Sequence, residues 1–305
     1  MYIFDLHCDT LHKFYENPLY NLSNNSGHIT DYGLVSGSYI GECFAIFLPD
    51  DIPKDKQYMF FKNQYNRFCS AATGMLKPAK NRRDILNNFK RKKVSAILTV
   101  ENADFLGGDL KKLKIAERLG VKILGLCWNN ENCLAFPNSP IPEIHDLPLK
   151  LFGREVVSAL NGSNILADVS HLNFGGFMDV AAISKKPFIA SHSACYSVFP
   201  HPRNLTDEQI KSISERGGVV GLNLYSRFLN GTNKTEFDDI IRHFKHLIKV
   251  GGESVAAIGS DFDGMECELP IKTASDMPLL ADRLIREFGF ITAEKICYRN
   301  ALRLF

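Results

Sequence analysis

A chain of 305 residues with 45% apolar and 23% charged side chains holds enough hydrophobic material for a large core and too little charge for a disordered tail. A net charge of +2 excludes the basic footprint of a nucleic-acid binder, and no apolar run reaches the roughly 20 residues that span a bilayer, so no membrane partner is expected either. The eight cysteines are scattered without a CxxC pair or a framework spacing, which predicts free thiols in a reducing cytoplasm.

Strand-like and helix-like segments alternate from end to end. The first strand is expected at 2–8, at the very start of the sequence, which argues against a signal peptide. Further strands are expected at 42–48 (stopped by Pro49), 94–100, 122–127, 164–169, 187–191, 219–224 and 255–258. The intervening helices are expected at 55–75, 83–91, 110–119, 152–160, 177–184, from Thr206 onward and at 236–250, with a helical tail at 279–288 and 292–304. Tyr58, Phe61, Tyr65 and Phe68 repeat at helical spacing and form a core-facing stripe. Thr206 and Gln209 have the spacing of a capping box. The segment carrying Pro137, Pro140, Pro142 and Pro148 is too rich in proline for helix interior. Eight short apolar strands with helices between them predict a (β/α)8 TIM barrel spanning 1–305 as one domain.

The residues able to do chemistry cluster at the C-terminal ends of these strands, the face where barrel enzymes place their sites. His7 and Asp9 lie two apart in an extended segment and can converge on one ion. Glu101 follows an apolar strand in which a glutamate has no packing role, His192 ends another strand, and His171 and Asp261 follow two more. Three imidazoles and three carboxylates without thiolate read as a metal site for Zn²⁺, or for Mn²⁺, Co²⁺ or Fe²⁺, and the size of the set suggests two ions sharing a carboxylate. Asp168 is expected to support His171 as a hydrogen-bond partner or cap rather than to bind metal. His243 and His246 are three apart on a helix outside the barrel and are expected on its surface.

These motifs together resemble the membrane (renal) dipeptidase family of zinc peptidases, peptidase family M19, within the amidohydrolase-like barrels. The resemblance is carried by Asp5-Leu6-His7-Cys8-Asp9-Thr10, Val100-Glu101-Asn102, Asp168-Val169-Ser170-His171, Ser191-His192-Ser193, His201-Pro202-Arg203-Asn204, the stretch from Gly218 to Asn223, the stretch from Gly259 to Gly264, and the ending from Arg299 to Phe305. It implies two zinc ions per chain, one held by His7, Asp9 and Glu101 and the other by Glu101, His171 and His192, with Glu101 bridging. It further implies a metal-bridging hydroxide as nucleophile, Asp261 as general acid/base, and Arg203 as the clamp for the terminal carboxylate of a dipeptide, including dipeptides with a D-residue at the C-terminal position. Family barrels often pair, so a homodimer is an expectation of the same kind, although no segment here marks an interface.

The chain departs from the family pattern in two ways. Trp128 stands where mammalian-type members carry a substrate-binding histidine, and an indole N–H can donate but cannot be protonated; Trp128 is expected to contact substrate as a wall of the pocket. The signal peptide and lipid anchor of membrane-bound members are not seen, which points to a soluble cytoplasmic form. Two rival readings are another amidohydrolase-type reaction on a small amide or lactone, which Arg203 disfavours for substrates lacking a carboxylate, and a non-catalytic metal-binding barrel, which would have no need of the full ligand set.

Overall fold

The computed structural model describes residues 1–305. Its strands are β1 (Ile3–Cys8), β2 (Tyr39–Phe47), β3 (Leu76–Pro78), β4 (Val94–Glu101), β5 (Val121–Gly125), β6 (Leu166–Asp168), β7 (Ala190–Ser193), β8 (Val220–Leu222) and β9 (Ala256–Ile258). They run parallel in the order β6-β5-β4-β2-β1-β9-β8-β7, and a bridge between Asp168 and Ile189 joins the two ends of that path. Eight strands therefore close into the expected (β/α)8 barrel. β3 lies outside the ring, paired only to β4.

The main covering helices are α1 (Thr10–Glu16), α2 (Asp31–Ser36), α3 (Gln57–Ala71), α4 (Arg82–Lys90), α5 (Leu110–Leu119), α6 (Leu151–Leu160), α7 (Phe174–Ile183), α8 (Asp207–Glu215), α9 (Phe237–Gly251) and α10 (Met277–Phe288). α3 stops four residues short of the expected end because Gly74, at φ +60°, turns the chain into β3. α8 starts with the expected capping box: Gln209 N–H donates to Thr206 Oγ1 (3.3 Å) and Thr206 N–H to Gln209 Oε1 (2.9 Å). No helix is long and apolar enough to cross a membrane.

Strand alternation sorts the side chains. Along β4, Ala96, Leu98 and Val100 join the large apolar cluster beneath the helices, whereas Ile97 points into the barrel with Phe4, Leu6, Cys43, Ile123 and Ile189. Glu101 tops that inward row. At the opposite end of the barrel, Ala301 and Leu302 close the interior and Phe305 stacks on Phe4 (ring centroids 5.2 Å apart). One end of the barrel is thus sealed with hydrocarbon and the other carries the polar groups.

Candidate active site

The six candidate ligands converge at the open end. His7 belongs to β1, Glu101 is the last residue of β4, and His192 lies in β7. Asp9, His171 and Asp261 follow β1, β6 and β9 within three residues. All six are buried. Asp9 stands at the N-cap of α1, yet its side chain caps nothing, which leaves the carboxylate to the site. His7 Nε2 lies 3.4 Å from Asp9 Oδ2, 3.6 Å from Glu101 Oε2 and 3.9 Å from Asp261 Oδ1. The other oxygen of Glu101, Oε1, lies 2.8 Å from His171 Nε2 and 3.5 Å from His192 Nε2. The two oxygens of one carboxylate therefore face two different groups of candidate ligands.

A layer of partners fixes the ring nitrogens. Ser191 Oγ donates to Asp168 Oδ2 (2.5 Å), so toward His192 Nδ1, 2.7 Å away, it can only accept. The His192 proton is thereby held on Nδ1 and the Nε2 lone pair is turned into the site. His171 Nδ1 lies 3.3 Å from Asn129 Oδ1, which orients the second ring in the same sense. His171 Nε2 and His192 Nε2 then face each other at 3.0 Å as two acceptors, with Glu101 Oε1 a third. His7 Nε2 and Asp9 Oδ1 are buried without a hydrogen-bond partner. Converging acceptors and orphaned buried atoms are unfavourable unless a cation sits among them, so the residues fit a metal. Gly264 is part of the cradle, because a Cβ there would run into the carboxylates of Asp9 and Asp261.

The electrostatics match that reading. Burial pushes the His192 and His171 imidazoles down, His171 to about 4, with Arg203 adding to the effect on both; neutral rings are the form that ligates. Burial opposes charge on Glu101, but the imidazoles of His171, His192 and His7 gathered around it outweigh that and hold the carboxyl well below its usual range. Burial likewise opposes charge on His7, but Asp9 and Glu101 override it and raise the imidazole well above its ordinary value; the same negative field favours a cation at that position. Asp261 differs: burial, reinforced by Asp9 and Glu101, raises it to about 7 against the pull of His7 and Asn223. Its backbone is left-handed (φ 63°), as are those of Asp263 (φ 68°) and Asn102 (φ 68°), a region that Asp and Asn adopt more readily than most residues.

Several partners differ from the sequence reading. Asp168 supports His192 through Ser191, not His171, because the bridge that closes the barrel lays Ser191 N–H over its carboxylate (2.9 Å). Asn129 takes the role beside His171. Asn223 Nδ2 donates to Asp261 Oδ2 (2.8 Å) from just past β8, which with β2 is one of the two barrel strands whose ends were assigned no site residue. That gap was the available signal. His243 is not on the surface but fully buried, with Nδ1 accepting from Cys195 N–H (3.1 Å) and Nε2 donating to the Leu229 carbonyl (3.0 Å). His246 pairs with Asp207 at 2.6 Å.

A cavity of about 560 Å³ opens over these groups. Trp128 lines it and meets Phe47 edge-on (4.7 Å), forming an aromatic wall. Arg203 also lines it, against the ring of Phe228. Its Nη1 donates to the Ser170 carbonyl and to Ser193 Oγ (3.1 Å), and its Nη2 to the His192 carbonyl (3.2 Å). The guanidinium thus braces the segments bearing His171 and His192, and part of its hydrogen-bonding capacity is already used. Nε–H is buried without a partner.

Comparison with known proteins bears on this site directly. The family model of the membrane dipeptidases, peptidase family M19, matches residues 1–305. The chain belongs to that family. It is a metallo-dipeptidase by membership, and its fold agrees. The structure of dipeptidase AC, a metallopeptidase of family M19, superposes with a TM-score of 0.93 at 28% identity, covering 100% of this chain and 97% of that one. A metallopeptidase from Rhodobacter sphaeroides, solved with a phosphinate mimic of the dipeptide L-Ala-D-Ala, gives 0.92 at 27% identity over 100% and 98% of the two chains. An uncharacterised Klebsiella pneumoniae protein from the pqqA 5′ region is 31% identical over 245 residues, 76% of this chain and 89% of its own length.

Proposed function

We propose that this metallo-dipeptidase uses two zinc ions, one held by His7, Asp9 and Glu101 and the other by Glu101, His171 and His192, with Glu101 bridging. The observation that carries the reading is the convergence of His171 Nε2, His192 Nε2 and Glu101 Oε1, with Glu101 Oε2 directed to His7 on the other side. When bound, the ions would supply acidification of a water to a pKa near 7 and polarisation of the scissile carbonyl.

The protein's own groups do the rest. Water adds to the carbonyl carbon, the C–N bond breaks, and one proton must travel from that water to the departing amine. Asp261 is the carrier: Asn223 holds its Oδ2, and Oδ1 faces His7 and the site. A carboxyl raised to about 7 can take and return a proton near neutrality. Arg203 receives the terminal carboxylate of the substrate with its charge and with the Nη2–H not given to His192. Trp128 and Phe47 supply an aromatic wall. The mimic held by the Rhodobacter relative supports extending the substrate range to L,D-dipeptides.

The test is hydrolysis of a panel of L,L- and L,D-dipeptides, L-Ala-D-Ala among them, with chelation and zinc re-addition. Cleavage lost on chelation and restored by zinc is expected. Protein that holds two zinc ions and cleaves no dipeptide would overturn the reading. Arg203→Ala should raise KM for dipeptides while zinc content stays unchanged; an unaltered KM would remove the carboxylate role.

A further inference from the structure

The turn His201-Pro202-Arg203-Asn204 carries Arg203 to the catalytic cavity. Asn204 N–H closes it by donating to the His201 carbonyl (2.9 Å), and Pro202 presets the second position. The Asn204 side chain anchors it, with Nδ2 donating to the carbonyls of Phe199 (2.8 Å) and Phe228 (2.7 Å). His201 lines the same cavity as Arg203, and the two pack on one ring. The imidazole and Phe228 centroids are 4.8 Å apart, and the guanidinium carbon lies 5.6 Å from the Phe228 centroid.

A local hydrogen bond sets the state of the His201 ring. The main-chain N–H of Arg203 donates to His201 Nδ1 (3.1 Å), so Nδ1 holds a lone pair and the neutral ring carries its proton on Nε2. Burial and the neighbouring charge of Arg203 both lower this imidazole from its ordinary value, which favours the neutral form near pH 7. No group of the protein accepts the Nε2–H.

Arg203 cannot satisfy a carboxylate by itself. Nη1 spends its N–H groups on the Ser170 carbonyl and Ser193 Oγ, Nη2 spends one on the His192 carbonyl, and Nε–H is closed in. The Nη2–H left over can meet one oxygen. The paired fork through which arginine usually grips both oxygens is not available, so the second oxygen calls for another donor.

We propose that His201 is a substrate-binding residue: its Nε2–H donates to one oxygen of the terminal carboxylate while the free Nη2–H of Arg203 takes the other. The proposal rests on the dipeptidase reading above. Arg203 supplies the charge and His201 a directed neutral donor. Together they favour a free carboxylate over a C-terminal amide, whose NH2 would face one of the two donors with a hydrogen instead of a lone pair.

The experiment separates donation to substrate from support of the turn. His201→Asn keeps an acceptor for the N–H two residues on, as in an Asx turn, and has no donor at the reach of Nε2. His201→Gln has the reverse properties: its longer arm returns an N–H to the cavity and fits the local N–H poorly. On Ala-Ala with the zinc-loaded enzyme, His201→Asn should raise KM about tenfold with little change in kcat, the loss of one hydrogen bond to a charged group. His201→Gln should recover most of that loss. On Ala-Ala amide, which has no carboxylate, His201→Asn and wild type should give equal kcat/KM; if the amide is not turned over, its inhibition constants against Ala-Ala are compared. Zinc content should match wild type throughout. If His201→Asn does not fold, His201→Ser, whose hydroxyl also accepts the local N–H, carries the test with the same sign. An unchanged KM in His201→Asn, an equal loss on acid and amide, or damage by Gln that Asn does not cause would each overturn the proposal. So would a loss confined to Tyr225→Phe, which would give the second oxygen to the hydroxyl that lines the same cavity. A wild type that cleaves no dipeptide would instead remove the reading beneath it.

Discussion

His192 and His243 are equally inaccessible to solvent, and they do opposite things. His243, on α9, spends both nitrogens inside the protein: Nδ1 on Cys195 N–H and Nε2–H on the Leu229 carbonyl. His192 spends only Nδ1, on Ser191 Oγ, and presents Nε2 to His171 and Glu101. Burial alone does not distinguish a structural histidine from a ligand. The unspent lone pair marks the candidate ligand, together with a neighbour that dictates which nitrogen carries the proton.

The largest expected effect breaks the comparison on the ligand side. Glu101→Gln removes the charge that both groups of ligands face. Zinc content should fall by at least one ion per chain, and kcat about a thousandfold, the upper end of what losing one stabilising group at a reacting centre costs. Zinc analysis beside dipeptide turnover checks this; retention of two ions would show that Glu101 does not bridge.

The next prediction tests the closed histidine. Burial depresses His243 to about 4 from the ordinary 6.5. The unfolded chain therefore binds this proton first as pH falls: the stability attached to the neutral ring is complete above about 6.5 and is lost as pH drops toward 4. The shift corresponds to about 3 kcal/mol. Protonation would also set Nδ1–H against Cys195 N–H. His243→Gln, which can still accept from Cys195 and donate to Leu229, should flatten that acid limb of the denaturant-midpoint profile and leave zinc content unchanged. An identical limb in both proteins would show that His243 does not titrate with unfolding.

The two histidines also mark what the sequence could reveal. The convergence of the six candidate ligands was legible because a charged residue at the end of an apolar strand, as at Glu101, has no packing use, and because six such residues share one barrel face. The barrel followed from the alternation of segments, but β3 fell unassigned between the helices expected at 55–75 and 83–91: a three-residue strand ending in Pro78 carries no period of its own. The buried place of His243 was missed because residues three apart on a barrel helix need not share exposure. It lies on the inward face with Ile240, Phe244 and Leu247, while His246 sits toward the edge. The roles of Ser191, Asn129 and Asn223 depend on side-chain direction and loop path, which no spacing encodes.

The smallest expected effect sharpens the comparison without touching a ligand. In the series Asp168, Ser191, His192, each group fixes the next: the carboxylate accepts the hydroxyl's hydrogen bond at 2.5 Å, and the hydroxyl oxygen then accepts from imidazole Nδ1. Ser191→Ala removes the acceptor and frees the ring to place its proton on either nitrogen. Zinc affinity should fall about 10- to 100-fold, the usual cost of losing such a partner. Ser191→Thr keeps the hydroxyl and should restore most of it. Asp168→Asn should reproduce the loss with the hydroxyl intact, since an amide that donates to Ser191 Oγ leaves it free to donate to Nδ1 and drives the proton to Nε2, the atom that must ligate. Competition with a zinc-binding dye measures all three. If alanine and asparagine bind zinc like wild type, Nε2 is available for some reason other than this chain of hydrogen bonds, and the contrast with His243 would rest on geometry alone.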